Sequence, residues 1–464
     1  MKYISTRGEA QAVGFLDAVL VGLAPDGGLF VPREWPSFTP AEIAAFANRP
    51  YAEVAAAVIS KFAGDAIAPD VIAEMCADAY ATFSHAAVTP LKQLYPDLWL
   101  LELFHGPTLA FKDVAMQLLA QIYDHVLAKQ GRTITIVCAT SGDTGGAAVG
   151  AFRGSQHVRL VVLFPEGRIS EVQRRFMTTA EEANVRTVAV EGTFDDCQTI
   201  LKGLFQDQAF SSQVDLSGVN SINWARIAAQ SVYYFTSAAA LGAPDRPVSY
   251  CVPTGNFGDA YAAYAASRLG LPIEKITVAT NANDIMARAL SGGRYARGQV
   301  AESMSPAMDI QIASNFERLY FEAVEREAVE TARAFKAFTE AGSIDIPPPA
   351  QGMMRGLFQG VAVSEAETAK TIMATLNDTG ELIDPHTAVA VAAARRTGAA
   401  GRTPLIALST AHPAKFPKAV FACAKVEPPA PSIVRAQAAK PERIDRLPAD
   451  AEAVKAYVRA FAGV

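Results

Sequence analysis

Residues 133–148 read TITIVCATSGDTGGAA, and this stretch decides the fold class. Its first part, 133–139, is a short run rich in β-branched residues, which is typical of a strand. A glycine-rich turn follows at once, and small residues that favour a helix come after the turn. A strand, a turn and a helix in this order predict a βα unit of a parallel sheet.

Further strand-like runs recur on both sides of this unit. They lie at 159–164, 186–190, 248–252, 275–280 and 404–409, with glycine turns and Ala-rich helical patterns between them. The run at 248–252 also enters a glycine-rich turn and a small-residue helix, PTGNFGDAYA at 253–262. In sheets of parallel strands such turns are where ligands bind. The sequence therefore predicts an α/β protein with two ligand-binding turns.

The first 90 residues have a different pattern from the rest. Helix-like segments occupy 12–23 and 40–83, with breaks near Pro50 and Pro69, so we expect a mainly helical N-terminal domain over 1–90. The proline-rich stretches 343–350 and 427–431 are weak linker signals. We predict a large α/β domain from 91–132 and 221–427, a small α/β domain from 133–220, and a helical segment, 428–464, packed on the large domain.

Composition narrows the class of protein. Of 464 residues, 50% are hydrophobic and 19% are charged, which is enough apolar material for a large core. The net charge of −6 gives no indication of a nucleic-acid partner. The five cysteines form no CxxC pair, which argues against a zinc site or a disulfide framework. With no apolar leader in MKYISTRGEA, we expect a cytoplasmic protein that has no metal and no membrane segment.

The two glycine-rich turns fit anions of different kinds. The turn Thr-Gly-Asn-Phe-Gly at 254–258 gathers backbone N–H groups beside the positive end of a helix dipole, which suits a phosphate. It matches neither the nucleotide-hydrolase loop nor the dinucleotide fingerprint. The turn at 140–146 combines three hydroxyls with a helix N-terminus, which suits a small carboxylate. Taken alone, each turn could instead only cap or pack a helix.

Lys112 is the candidate reactive group. It stands in FHGPTLAFKD, 104–113, at the start of a long amphipathic helical pattern. A cation is disfavoured at the positive end of a helix, and apolar neighbours favour the neutral amine by lowering the pKa of the lysine. A neutral amine is what Schiff-base chemistry needs. The alternative is an ordinary surface lysine whose stem lies along apolar side chains.

Several motifs in order along the chain resemble the threonine synthase family, a group of fold type II enzymes that depend on pyridoxal phosphate. The motifs are YISTRG at 3–8, GLAPDGGLFVP at 22–32, FHGPTLAFKD at 104–113, ATSGDTGGAA at 139–148, NSINWAR at 220–226, PTGNFG at 253–258 and LSTAHPAKFP at 408–417. The resemblance implies two open, twisted, mostly parallel sheets with flanking helices, as in the tryptophan synthase β chain, plus a small helical N-terminal domain. It makes the large domain the one that binds the cofactor.

The resemblance also implies roles for individual residues. Lys112 would hold pyridoxal 5'-phosphate covalently and move protons at the α and β carbons of the substrate. The cofactor phosphate would be bound by Gly255, Asn256, Phe257 and Gly258, and the pyridine nitrogen by Thr410. The substrate carboxylate would be bound by Ser141, Gly142, Asp143 and Thr144. Asp143 is a candidate for the cofactor ring oxygen as well, and it stands where many relatives have Asn.

The segment 220–226 would bind the phosphate of the substrate through Asn220, Ser221, Asn223 and Arg226. Arginine binds phosphate oxygens as a fork, so the residue types fit that task, although a capped helix with a surface arginine is the plain alternative. Three further candidates are weaker. His105 and His412 could assist proton transfer, and Asp259 is most simply a helix N-cap.

The activity implied by the resemblance is conversion of O-phospho-L-homoserine and water into L-threonine and phosphate, by loss of phosphate and addition of water. This is the last step of threonine biosynthesis. Partners would be this small molecule and the cofactor, in a monomer or a homodimer. One alternative is a pyridoxal-phosphate lyase that releases a keto acid and ammonia. Another is a non-catalytic protein that binds phosphorylated metabolites, which Lys112, Thr410 and the turn at 254–258 together argue against.

Overall fold

The computed structural model describes residues 1–398 and 403–464. The chain forms an N-terminal unit, a large lobe and a small lobe, and apolar side chains of all three meet in one large core cluster. Two mostly parallel sheets flanked by helices confirm the predicted fold class. No helix within the described ranges is both long and apolar enough to cross a bilayer.

The N-terminal unit, residues 1–90, contains a small sheet as well as helices. Its elements are β1 (Lys2–Ser5), β2 (Val13–Gly14), α1 (Phe15–Val21), β3 (Phe30–Pro32), α2 (Pro40–Ala44), α3 (Tyr51–Ala63) and α4 (Pro69–Ala81). β1 pairs antiparallel with β2 and β3. The Tyr3 hydroxyl, buried against α3, donates to the Phe62 carbonyl at 2.8 Å. These strands are too short to show a period of two, so only the helices were predictable from the sequence.

The large lobe begins with β4 (Leu91–Tyr95), β5 (Leu98–Glu102) and α5 (Lys112–Gln130). β4 and β5 form an antiparallel pair. α5 ends at Gly131, whose left-handed φ of 60° closes the helix without the strain that a side chain would bring. Almost all of the first half of α5 is buried, so the helix runs through the core instead of along the surface.

The small lobe follows directly. Its elements are β6 (Ile134–Ala139), α6 (Asp143–Phe152), β7 (Val158–Pro165), α7 (Glu171–Thr178), β8 (Val185–Glu191), α8 (Phe194–Gln206), α9 (Gln208–Val214) and β9 (Leu216–Ser217). All the strand pairs are parallel, in the order β9-β6-β7-β8. The three strands that the sequence predicts here are all present.

The chain then completes the large lobe. Its elements are α10 (Trp224–Ala240), β10 (Val248–Pro253), α11 (Gly258–Arg268), β11 (Ile273–Thr280), α12 (Ile285–Gly292), β12 (Arg294–Ala296), α13 (Phe316–Ala323), α14 (Ala328–Ala341), β13 (Ser343–Asp345), α15 (Pro348–Leu357), β14 (Phe358–Ala362), α16 (Glu365–Thr379), α17 (Pro385–Thr397), β15 (Leu405–Ser409) and α18 (Pro417–Ala424). The sheet order is β14-β11-β10-β15-β5-β4, and β12 pairs with β13. The stretch 343–350 is not a linker, because it forms β13 and begins α15 with prolines in the first helical turn.

The prediction that residues 428–464 pack on the large lobe is wrong. This segment contains α19 (Ser432–Ala438), β16 (Asp445–Pro448) and α20 (Ala451–Ala462), and β16 pairs in parallel with β8 of the small lobe. Val454 and Val458 of α20 join the apolar cluster beneath that sheet. The strand has little apolar side-chain pattern of its own, and the free backbone groups at the edge of β8 pair with it. Leu447 also packs on the apolar cluster, and Arg446 pairs with Glu166.

Candidate active site

Lys112 is held at the start of α5 by backbone contacts with the end of β15. The Phe111 N–H donates to the Thr410 carbonyl at 2.8 Å, and Ala110 forms an isolated antiparallel bridge with Ala411. Only 12% of the Lys112 side chain is exposed. Burial is the largest influence that lowers the pKa of Lys112, in agreement with the sequence-based expectation.

Asp143 lies between Lys112 and a second lysine, Lys415. Its Oδ2 is 3.6 Å from Lys112 Nζ, and its Oδ1 is 2.9 Å from Lys415 Nζ. Gln173 Nε2 also donates to Oδ1 at 2.9 Å. Burial alone would raise the pKa of Asp143, but the charges of Lys415 and Lys112 hold it well below its usual range. The Asp143 carboxylate is therefore ionised. Its contact with a cofactor ring oxygen stays a prediction.

Lys415 is a site residue that the sequence reasoning missed. It ends a short 3-10 helix, Pro413–Lys415, only a few residues after Thr410. Its side chain is 1% exposed, and its Nζ also donates to the Thr108 carbonyl at 2.7 Å. The sequence did contain a clue to Lys415, because this lysine stands between apolar residues in the motif at 408–417. That motif follows the end of a predicted strand, where ligands bind.

The turn at 140–146 is organised by Thr140. Its Oγ1 accepts hydrogen bonds from the backbone N–H groups of Gly142 and Gly145, each at 2.9 Å. Gly142 has a φ of 132°, and a Cβ there would lie 2.6 Å from the Gln173 side chain. The hydroxyls of Ser141 and Thr144 make no hydrogen bond to any described residue, and both residues are partly exposed. Free hydroxyls at a helix N-terminus fit a small anion.

The turn at 254–258 connects β10 to α11. A Cβ on Gly255 would lie 2.6 Å from the Ala307 carbonyl oxygen, so the backbone approaches too closely for any other residue. Phe257 adopts a left-handed φ of 62°, and Gly258 begins the helix. Asn256 is exposed. The turn thus presents an accessible helix N-terminus, as a phosphate site requires.

Two residues that the sequence reasoning missed connect this turn to the segment 220–226. Asn315 Nδ2 donates to the carbonyls of Asn256 and Ser221 at 3.1 and 3.2 Å. Arg318, which is fully buried, donates to Asn315 Oδ1, to the Ile222 carbonyl and to the Phe30 carbonyl. Burial lowers the pKa of Arg318 to about 10. No sequence motif marks this pair, since Asn and Arg at a helix start are common.

Arg226 is a buried cation that pairs with no carboxylate among the described residues. It is 3% exposed, its Nη1 donates to the Val219 carbonyl at 3.3 Å, and its Nε has no hydrogen-bond partner among the described residues. Burial lowers the pKa of Arg226 to about 10, and no carboxylate contributes to its electrostatic surroundings. A buried charge without a partner is costly, which favours a bound anion here.

The other residues of the segment 220–226 differ in what they offer. Asn220 is exposed and Ser221 is partly exposed. Asn223 instead caps α10, because its Oδ1 accepts from Ala225 N–H at 3.0 Å and its Nδ2 donates to the Val19 carbonyl at 2.7 Å. Both ends of this amide are already bonded. Asn223 therefore caps α10 and joins it to α1.

The remaining candidate residues from the sequence have different surroundings in the structure. Thr410 is 6% exposed, and its hydroxyl makes no hydrogen bond within the described ranges. His412 accepts from Ala414 N–H at 3.1 Å, and burial lowers the pKa of His412 to about 4. His105 pairs with Glu102 at 2.7 Å. Asp259 is not an N-cap, since Tyr233 and Tyr234 donate to its Oδ1, and burial raises its pKa to about 6.

These groups fit an aldehyde cofactor that carries a phosphate. The buried amine of Lys112 is suited to an aldehyde, and the turn at 254–258 is suited to a phosphate. The unbonded hydroxyl of Thr410 is available to a ring nitrogen. The chemistry of this donor set, with one amine, one anion turn and one hydroxyl, is that of a pyridoxal-phosphate site.

Comparisons with known proteins identify the family of the chain. Three family models match: threonine synthase N terminus over residues 2–80, pyridoxal-phosphate dependent enzyme over 83–345, and threonine synthase, C-terminal, over 387–458. Threonine synthase from Pseudomonas aeruginosa is 47% identical over 459 residues, covering 99% of this chain and 98% of that protein.

Solved structures give the same answer. The crystal structure of pyridoxal-phosphate-bound threonine synthase from Brucella melitensis matches with a TM-score of 0.98 at 50% identity and covers all of both chains. Threonine synthase from Escherichia coli matches with a TM-score of 0.83 at 32% identity over 99% of this chain and 100% of that chain. The chain therefore belongs to the threonine synthase family of pyridoxal-phosphate-dependent enzymes.

Proposed function

We propose that the substrate of this enzyme is O-phospho-L-homoserine, which reacts with water to give L-threonine and phosphate. The observation that carries the proposal is the buried guanidinium of Arg226, whose Nε has no hydrogen-bond partner and which forms no ion pair with any described carboxylate. Its charge also acts on Lys112, so an anion bound to it would lie in the same site as the reactive amine. A phosphate on the substrate supplies the missing counter-ion.

The cofactor residues are those that fit the group. Lys112 would hold pyridoxal phosphate through its amine, and Thr410 would face the ring nitrogen. The phosphate would be bound at the turn Gly255, Asn256, Phe257 and Gly258. When bound, the cofactor stores the electron pair left behind as the C–H bonds of the substrate break.

The protein's own groups then move protons and hold charge. Lys112 Nζ takes the proton from Cα, then one from Cβ, and later returns protons to Cγ and Cα. As the C–O bond at Cγ breaks, Arg226 meets the charge that grows on the phosphate, helped by the accessible Ser221 and Asn220. Water adds its O–H to Cβ, which gives the hydroxyl of threonine, and the second proton of the water goes to the released phosphate.

The substrate carboxylate has its own place in the proposal. Ser141 and Thr144 offer hydroxyls that no described residue uses, and the first turn of α6 offers backbone N–H groups. The Asp143 carboxylate is not a ligand for another carboxylate, because two negative charges repel. We therefore assign carboxylate binding to Ser141, Thr144 and only the backbone of Asp143, whereas the Gly142 N–H already donates to Thr140 Oγ1 and Gly142 instead shapes the turn. A cytoplasmic location, and a monomer or homodimer, stay predictions.

Product analysis tests the proposed reaction. Purified protein with pyridoxal phosphate and O-phospho-L-homoserine is expected to release threonine and phosphate in equal amounts. 2-Oxobutyrate with ammonia and no threonine would instead identify a lyase. L-Homoserine, which lacks the phosphate, is the matched control substrate, and comparable turnover of homoserine would contradict the role of Arg226.

A further inference from the structure

Three charged side chains are buried together where the two lobes meet. Lys112 begins α5 in the large lobe, Asp143 begins α6 in the small lobe, and Lys415 comes from the 3-10 helix after β15. The exposed fractions of their side chains are 12%, 7% and 1%. The group holds two lysine amino groups and one carboxylate, so the two lysines compete for one partner.

Lys415 has the better contact of the two. Its Nζ is 2.9 Å from Asp143 Oδ1, whereas Lys112 Nζ is 3.6 Å from Oδ2, beyond normal hydrogen-bond length. A second bond to the Thr108 carbonyl at 2.7 Å fixes the Lys415 ammonium in place. Thr108 in turn is bound through its N–H and hydroxyl to Asp113 at 2.7 and 2.6 Å. Lys415 is thus anchored independently of Lys112.

We propose that Lys415 is a positioning residue that takes Asp143 as its ion-pair partner and so leaves the Lys112 amine free to react. The inference rests on the proposed function, in which Lys112 is the lysine that holds the cofactor. Without the Lys415 charge, Asp143 would face Lys112 alone. A buried carboxylate with a single ammonium neighbour would hold that ammonium in its charged, unreactive form.

The charges around Lys112 set the direction of the effect. Burial, Lys415 and Arg226 lower the pKa of Lys112, while Asp143 raises it. On neighbouring segments, Asp113 is bonded to Thr108, and the imidazole of His412 is kept neutral by burial, which lowers its pKa. Removing the Lys415 charge takes away one influence that lowers the Lys112 pKa. It also strengthens the effect of Asp143, which raises that pKa. The Lys112 pKa should therefore increase.

The test is the pH dependence of Lys112 reactivity in the full-length apoprotein. Short pulses of an acetylating reagent between pH 6 and pH 10, read by peptide mass spectrometry, give the midpoint at which Lys112 becomes reactive, with exposed Lys202 as internal reference. Lys415→Gln keeps a donor but not the charge. We expect it to move the midpoint up by about one pH unit, the size of a typical neighbour-charge effect.

Control variants separate charge from packing. Gln173→Leu removes the other hydrogen bond to the same Asp143 oxygen without changing charge, and it should leave the midpoint unchanged. Lys415→Arg should restore the wild-type midpoint. The double variant Lys415→Gln with Asp143→Asn removes both charges and should also return the midpoint towards wild type. It is the variant to use if the single change unfolds the protein, because it leaves no buried carboxylate unpaired.

The outcomes are distinct. A wild-type midpoint in Lys415→Gln, an equal shift in Gln173→Leu, or a double variant that keeps the raised midpoint would overturn the proposal. Borohydride reduction of the wild-type holoenzyme tests the function beneath it: the pyridoxyl group should be found on Lys112. A pyridoxyl group on another lysine would refute the Lys112 assignment itself, whatever the midpoints.

Discussion

The side-chain amide of Asn315 donates a hydrogen bond to the backbone carbonyl of Asn256 at 3.1 Å. The same Nδ2 reaches the Ser221 carbonyl at 3.2 Å, so one amide joins the turn at 254–258 to the segment 220–226. Arg318 holds the oxygen of that amide. The Asn315 amide therefore links the two proposed phosphate sites, one for the cofactor and one for the substrate, and Arg318 supports it by also donating to the Ile222 carbonyl.

Asn315→Leu should weaken both sites together. The change leaves the Ser221 carbonyl without the Asn315 amide and takes one of two donors from the Asn256 carbonyl, which keeps the Asn315 backbone N–H at 3.1 Å. It also costs Arg318 an acceptor, and each buried hydrogen bond lost is worth roughly 1–3 kcal/mol. We expect the Kd for pyridoxal phosphate and the KM for the substrate each to rise about tenfold. Fluorescence titration of the apoprotein and initial-rate kinetics measure the two. Gln93→Leu, at an exposed amide that bonds the Pro96 carbonyl, is the control and should change neither.

Lys112→Ala should abolish turnover while the fold persists. Lys112 is the only lysine in the first turn of α5 among the described residues. Without its amine the protein loses both the covalent attachment of the cofactor and the proton transfer. We expect a fall in kcat of about 10³-fold or more. Lys129→Ala, in the exposed last turn of the same helix, is the matched control. Wild-type rates in Lys112→Ala would show that another lysine carries the chemistry.

Arg226→Leu should weaken substrate binding without lowering the thermal stability of the protein. Loss of the phosphate partner should lower kcat/KM by roughly 100-fold. Because the guanidinium is buried without a carboxylate, the Tm of the phosphate-free variant should equal or exceed that of the wild type. Added inorganic phosphate should raise the Tm of the wild type but not of the variant. A large loss of Tm without phosphate would contradict an unpaired arginine.

His412 predicts a loss of stability in mild acid. Burial lowers the pKa of His412 from 6.5 to about 4, so the unfolded chain binds a proton more readily below pH 6.5. The stability is present above about pH 6.5 and is lost as the pH falls towards 4, by up to about 3 kcal/mol. His412→Asn keeps an acceptor for Ala414 N–H without a titrating group. Urea unfolding at pH 7, 6, 5 and 4 should show a shallower decline in the variant.

Val458→Asp tests the placement of the C-terminal segment. Val458 is fully buried in the apolar cluster with strands of the small lobe. A charge there should cost about 3 kcal/mol or more and expose the small lobe to proteolysis. Ala460→Asp, two residues away on the exposed face of α20, should leave the protease pattern unchanged. Equal resistance of both variants would argue against docking on the small lobe.

The sequence was informative where local chemistry and local pattern agree. Strands such as Val248–Pro253 are apolar on both faces and run into glycine turns, so their type and their ligand-binding ends were predictable. Lys112 was identifiable for the same reason, because a lysine in an apolar first turn is electrostatically unusual. The motifs then supplied the family and its chemistry.

The sequence did not predict features that depend on contacts between residues far apart in the chain. Asn315 and Asn256 are far apart in the chain, and nothing near either residue indicates that they bond. Asn223 has the right residue type for a phosphate donor, yet its amide is used by Val19 and Ala225. The strand Asp445–Pro448 pairs with the open edge of β8, and its side-chain contacts, such as that of Arg446 with Glu166, also join residues far apart in the chain. Such features depend on which groups the folded chain brings together.

The late strand β16 also has a consequence for how the protein is made. β6, β7 and β8 leave the ribosome early, but the strand that covers the edge of β8 is translated only after the whole of the large lobe. Until then the nascent small lobe displays unpaired backbone groups along a strand rich in valine. During synthesis this edge is therefore open to pairing with other chains until β16 is made.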